Sequence, residues 1–296
     1  MMTRLNTRPT RARLSRLAFR FSRVLLCMCA VTYTLQCQPP PAAVAPVDAP
    51  TAAGSTQMIA PVVVGNPMAP GFDLSGSDHR AVEIADRVMA RLGGREGWEH
   101  TRYLTWRFFG KRRHVWDKWT GDLRFEAGDR TVLMNLNDRT GRSWRSGLLV
   151  EDPDTLAADV DGAYRAWIKD SYWLVMPYKL KDSGVTLRYR GQDMTEEGIP
   201  AHVLELTFQD VGVTPQNRYQ VWVDIHESLV RQWSFYRQAD DSEPRFVRPW
   251  QDWQSYGRIW LASDFGGRRH SEVGVFDDLP ASVFDDPGPT SFRVDP

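Results

Sequence analysis

The side chains that could do chemistry are plentiful in this chain, but their spacing assembles no familiar reaction centre. The six histidines stand at positions 79, 100, 114, 202, 226 and 270, and no two share metal-ligand spacing. His79 and Glu83 lie one helical turn apart and could hold a metal in principle, yet they read as a solvated surface pair. No Gly-x-Ser-x-Gly elbow, His-Glu-x-x-His helix, phosphate-binding glycine loop or Gly-x-Gly-x-x-Gly turn occurs. The three cysteines are Cys27, Cys29 and Cys37, so beyond residue 37 there is neither a thiol nor a disulfide. We therefore expect no catalytic residues, no metal site and no cofactor. A hydrolase assembled from scattered acids and histidines is the alternative that spacing alone leaves open.

The positive signal is aromatic. All twelve tryptophans fall between positions 98 and 260, several on stretches that alternate like strands. An antiparallel sheet curling into a partial barrel has a concave side that large apolar residues can line, which suits an acyl chain or another greasy ligand. Trp106, Phe108, Trp173, Leu204, Leu206, Trp222 and Trp233 are the lining candidates. Trp222 has opposite parity from Val221 and Val223, which sets it on the other side of the sheet if those two face inward. A tryptophan-rich core with no cavity is the competing reading.

The chain begins with seven arginines and no acid in residues 1–23, followed by an uncharged, mostly apolar run from Val24 to Leu35. That run is too short to span a bilayer, which takes roughly 20 residues. A basic region, an apolar run and a nearby cysteine form the layout of an export signal, here of lipoprotein type over residues 1–36. Cys37 is the expected lipid-attachment site, although Gln36 stands where such signals carry a small residue. A secretory peptide cut elsewhere and an uncleaved anchor are the other readings. Residues 37–76 form a tether: between Gln38 and Gly76 there are eight prolines and eight alanines, a composition that buries too little apolar surface to order itself. Setting aside the signal arginines leaves 30 basic residues against 37 acidic ones, a balance near −7. Such a balance argues against nucleic acid as a partner. We expect a monomer in the cell envelope of a Gram-negative-type bacterium, in the periplasm and held to the outer membrane through Cys37.

Residues 77–296 must then supply one domain. Val82, Ala85, Met89 and Leu92 mark a helix with Ser77 as its cap and Gly93-Gly94 as its stop. Strands follow at His100–Phe109, Val115–Trp119, Leu123–Ala127, Thr131–Asn137 and Ser143–Val150, joined by short turns that imply an antiparallel meander. A second helix spans Asp154–Lys169. Strands resume at Val185–Gly191, Ala201–Gln209, Arg218–Ile225, Leu229–Arg237, Gln254–Ala262 and Arg269–Phe276, and an acidic, irregular tail runs over the surface from 277. The basic clusters Lys111-Arg112-Arg113-His114 and Arg268-Arg269-His270, each beside glycine, read as solvated hairpin loops.

Several segments together resemble the LolA/LolB-like periplasmic proteins, and more closely a group of uncharacterised lipoproteins of that type. They are Trp116-Asp117, Trp167 to Lys179, Phe208 through Gly212-Val213-Thr214-Pro215, Tyr219 to Asp224, Leu229 to Trp233 and Leu279 to Phe284. The resemblance spans residues 77–284 and its motifs are loose. It implies a mostly β (α+β) fold, an open, incomplete antiparallel barrel of about 10–12 strands with two covering helices. It also implies a hydrophobic concavity for a lipid or an acylated lipoprotein, and it carries no catalytic residues with it. An envelope scaffold or sensor with a filled core is the rival expectation.

Overall fold

The computed structural model describes residues 65–209, 211–290, 292 and 294; the signal, Cys37 and the tether as far as Val64 lie outside them. The described chain starts with α1 (His79–Arg91) and α2 (Gly94–His100). A run of strands follows: β1 (Tyr103–Phe108), β2 (Arg112–Asp117), β3 (Asp122–Ala127), β4 (Arg130–Asn135), β5 (Gly141–Arg145) and β6 (Leu148–Leu149). Next come α3 (Pro153–Val175) and a short 3₁₀ turn, Met176–Lys179. The second run is β7 (Val185–Met194), β8 (Pro200–Phe208), β9 (Arg218–Asp224), β10 (Val230–Tyr236), β11 (Phe246–Pro249), β12 (Gln251–Tyr256), β13 (Ile259–Asp264) and β14 (Ser271–Phe276), before α4 (Ser282–Asp285).

Every strand pairing is antiparallel. The first sheet runs β14-β1-β2-β3-β4-β5-β6, the second β11-β10-β9-β8-β7, and β12-β13 form a two-stranded piece. Because β14 returns to pair with β1, the two meanders follow one interrupted order whose free ends are β6 and β7. Those ends are joined in sequence by α3. The expected open, mostly β architecture is what the chain adopts, with no closed barrel among the described residues.

The details correct the sequence reading. Fourteen strands and four α-helices are described, against the expected 10–12 and two. The run 143–150 is a hairpin, since Ser146 (φ 51°) and Gly147 (φ 79°) both take the left-handed conformation that a tight two-residue turn needs. Gly257 likewise splits 254–262 into β12 and β13. Asp78, not Ser77, occupies the cap position of α1. The Ser77 hydroxyl instead donates to the Asp73 carbonyl and accepts from Leu187 N–H. Residues 65–76, read as the end of the tether, pack on the domain: Phe72 is buried, and Asp73 N–H donates to the Val185 carbonyl at 3.0 Å. Together with Asp78 N–H on the Leu187 carbonyl, this covers part of the free edge of β7.

Helix α3 has 23 residues and opens on Pro153, with the Asp152 carboxylate accepting from Thr155 N–H. It runs past the expected stop at Lys169 because Asp170 is paired rather than solvated, and because Ser171–Val175 continue its buried side. Its first half packs Val160 and Ala163 on Leu123, Phe125, Val132 and Met134 of the first sheet. Its second half delivers Trp173, Leu174 and Val175 to the main core, which also takes residues from α1, β1, β8, β9, β10 and β13. The tail from 277 lies on the outer face of the first sheet, where Leu279 and Val283 bury against Tyr103 and Val115. Buried Arg124 fastens it by donating to the carbonyls of Val283, Asp286, Pro287 and Gly288.

Candidate functional site

Strand parity decides which side chains meet between the sheets. On β1, Leu104, Trp106 and Phe108 face inward; on β8, Leu204 and Leu206; on β10, Trp233. Six of the seven lining candidates therefore join one apolar interior: Trp106, Phe108, Trp173, Leu204, Leu206 and Trp233 are all buried in it. Trp222 is the correction. Val221 and Val223 face inward, so Trp222 emerges on the opposite face of its sheet beside Ala201 and Val203.

Trp173 sits among the rings. Trp233 meets it edge-on at 4.7 Å, with Phe109 at 5.2 Å, Phe246 at 5.3 Å and Phe265 at 5.5 Å. Trp233 in turn stacks on Tyr219 at 5.3 Å and meets Trp250 at 5.6 Å. Each such pair contributes about 0.5–1.5 kcal/mol beyond the area it buries.

The two faces of α3 are held in different ways. Asp159 and Asp170 lie about three turns apart, so they share one side of the helix. Asp159 accepts from Arg130, Arg145 and the Ser143 hydroxyl. Asp170 accepts from Arg112 through two nitrogens, at 2.6 and 2.8 Å, and faces His114 Nε2 at 3.0 Å. Burial pushes both carboxyls up, but these bonds outweigh it and hold both below the usual carboxylate range. Toward the second sheet the helix offers apolar contacts dominated by rings: Tyr172 against Phe208, Tyr219 and Trp233, and Trp173 against Trp233 and Phe246. Among the described residues no ion pair crosses that seam.

Arg268 and Arg269 lie exposed in the turn between β13 and β14, as expected of a solvated hairpin loop, whereas the first cluster departs from that expectation beyond Lys111. Arg112, Arg113 and His114 belong to β2, where alternation turns His114 fully inward, stacked on Trp106 at 4.5 Å. His270 is buried among Phe108, Phe109 and Phe265. Burial lowers both imidazoles, His270 to about 3. The His114–Asp170 pair, both side chains fully buried, ties α3 to the first sheet. His79 pairs with Glu83 on the surface as expected, and buried His202 meets the Tyr189 hydroxyl at 3.1 Å.

The interior leaves hydrogen-bonding groups unmet. Trp106, Trp233 and Trp250 have buried indole nitrogens with no partner, as does the Tyr172 hydroxyl, whose burial raises its pKa well above the ordinary value. The indole nitrogens of Trp167 and Trp222 are likewise buried without a partner, whereas Trp253 donates to the Val230 carbonyl, Trp119 to the Glu99 carbonyl, and the Tyr178 hydroxyl meets the Leu92 and Trp260 carbonyls. An unmet buried donor costs about 1–3 kcal/mol, so a cluster of them calls for an explanation. Of these residues the sequence reading named Trp106 and Trp233 for the lining and missed Tyr172, Trp250 and the Arg112–His114–Asp170 group. The spacing of Asp159 and Asp170 on one helical side was the available signal.

Two shallow surface hollows lie away from this interior. One, about 400 Å³, is rimmed by Arg237, Asp241, Ser242, Glu243 and Arg245; the other, about 280 Å³, by Gly93, Glu96, Gly97, His100 and Arg258. The aromatic space between the sheets is lined by buried side chains. Among the described residues no cluster of His, Cys, Asp or Glu could hold a metal ion, and no helix is long and apolar enough to cross a membrane.

No family model matches the chain, and no curated protein matches its sequence. Among solved structures it is similar to a DUF1329 family protein from Desulfovibrio piger, at 14% identity and a TM-score of 0.38, covering 70% of this chain and 97% of that one. It is also similar to a LolA superfamily protein from Nitrosomonas europaea, at 11% identity and a TM-score of 0.31, covering 69% of this chain and 96% of that one.

Proposed function

We propose that this chain is an exported binding protein, held to the outer membrane through Cys37, whose aromatic interior takes the acyl chain of a lipid or of an acylated lipoprotein. One observation carries the reading: the seam between the second half of α3 and the second sheet is apolar, with aromatic rings on both sides and no ion pair across it among the described residues. An acyl chain entering there exchanges apolar contacts for apolar contacts, whereas a buried carboxylate parted from its arginines would have no substitute. The helix and the first sheet then move as one body and the second sheet parts from them. The role needs no reacting group, and the protein acts by binding.

Native mass spectrometry of delipidated protein, incubated with a bacterial membrane-lipid extract, tests this. Retention of discrete lipid masses is expected, and a bare protein mass across the titration would overturn it. A second reading, a scaffold or sensor that binds protein partners while its core stays filled, is favoured by the packed interior. It predicts the bare mass together with capture of a partner on an outer face.

A further inference from the structure

Resting on that reading, we propose that the acyl ligand carries an oxyanion head, received by the indole N–H groups of Trp233 and Trp250 and the hydroxyl of Tyr172, with Arg248 supplying the positive charge. Trp233 and Trp250 are at most 1% exposed, and neither indole nitrogen has a partner. The two rings are neighbours at 5.6 Å, and Tyr172 lies 6.1 Å from Trp233 with its hydroxyl also buried and unmet. An indole nitrogen can only donate, so the missing partner must be an acceptor. The rings around these donors, Trp173, Tyr219, Phe246 and Phe265, bring no carboxylate to the cluster. A plain hydrocarbon would leave all three groups as unmet as they are now.

The charge comes from the neighbouring strand. Arg248 stands directly opposite Trp233 in the β10–β11 pairing, and directly paired residues share a face. Phe246, two residues earlier on β11, packs into the core and confirms which face that is. Arg248 is half-buried and forms no ion pair among the described residues, unlike Arg112, Arg130 and Arg218 on other strands. A guanidinium at the rim beside buried donors suits a head whose oxygens are negative while its chain runs inward among the rings.

Binding of four amphiphiles of equal chain length to the delipidated protein tests the assignment: palmitate, hexadecyl phosphate, methyl palmitate and hexadecyltrimethylammonium. Palmitate or hexadecyl phosphate should bind about tenfold tighter than the ester and the cation, and the tighter of the two tells carboxylate from phosphate. Arg248→Gln and the double variant Trp233→Phe/Trp250→Phe should each remove about tenfold of the anion's advantage and leave methyl palmitate within about twofold. Phenylalanine keeps the site aromatic, and thermal unfolding of the variants confirms that they fold. Equal binding of anion and ester, or an anion preference that survives both variants, would overturn the oxyanion site while leaving acyl binding standing. Binding of none of the four would overturn both.

Discussion

Replacing His270 with phenylalanine should make the protein less sensitive to mild acid. His270 is 4% exposed, packs against Phe108, Phe109 and Phe265, and has only the Trp173 backbone as a polar neighbour that favours its charged form by hydrogen bonding. Burial lowers its imidazole from 6.5 to about 3. Between those values the unfolded chain binds a proton that the folded chain refuses, so stability falls as pH drops below 6.5. At about 1.4 kcal/mol per pH unit, this one group removes about 2 kcal/mol by pH 5. His114, lowered chiefly by burial as well, adds to the same slope. Phenylalanine cannot take up the proton and leaves no unmet nitrogen in the ring cluster. Urea unfolding at pH 7.5, 6 and 5 reads the effect. The drop in unfolding free energy between pH 7.5 and 5 should shrink by about 2 kcal/mol in His270→Phe, with the variant the more stable protein at pH 5. Parallel profiles for the two proteins would refute the burial of His270 in an apolar interior.

Other consequences are direct. Asp170→Ala leaves Arg112 and His114 without their buried partner and should lower unfolding free energy by about 3–5 kcal/mol in urea titrations. Arg124→Ala should release the tail, read as faster amide exchange at 283–288, with a loss of about 1–3 kcal/mol. Trp222→Phe should leave acyl binding unchanged in the native mass experiment, because Trp222 faces away from the interior. Leu148→Ser and Leu149→Ser, at side chains 75% and 51% exposed, should each shift stability by no more than about 0.5 kcal/mol.

Strand alternation made much of the fold legible from the residues. Leu104, Trp106 and Phe108 declare the inner face of β1, and Leu204 and Leu206 that of β8, because period-two patterning is local. The pairing of β14 with β1 was out of reach, since it joins positions about 170 residues apart through no local signal. Charged residues misled where tertiary pairing overrode composition. Arg112 and His114 look like a solvated turn until Asp170, more than 50 residues later, supplies the buried partner. That same pairing carried α3 beyond Lys169. For the candidate site, aromatic content pointed to the right interior, while the unmet donors became visible only once the rings had neighbours. Gly257 gave a hairpin signal within 254–262 that the apolar content of the run masked.

The most direct test of the central claim is quenching of tryptophan fluorescence by an acyl chain brominated near its middle. If the interior admits the chain, emission from wild-type protein falls on titration, and the quenched component is lost or sharply reduced when Trp173 and Trp233 are both replaced by phenylalanine. Quenching that is absent, or that persists undiminished in that double variant, would place the chain outside the aromatic interior and contradict the account.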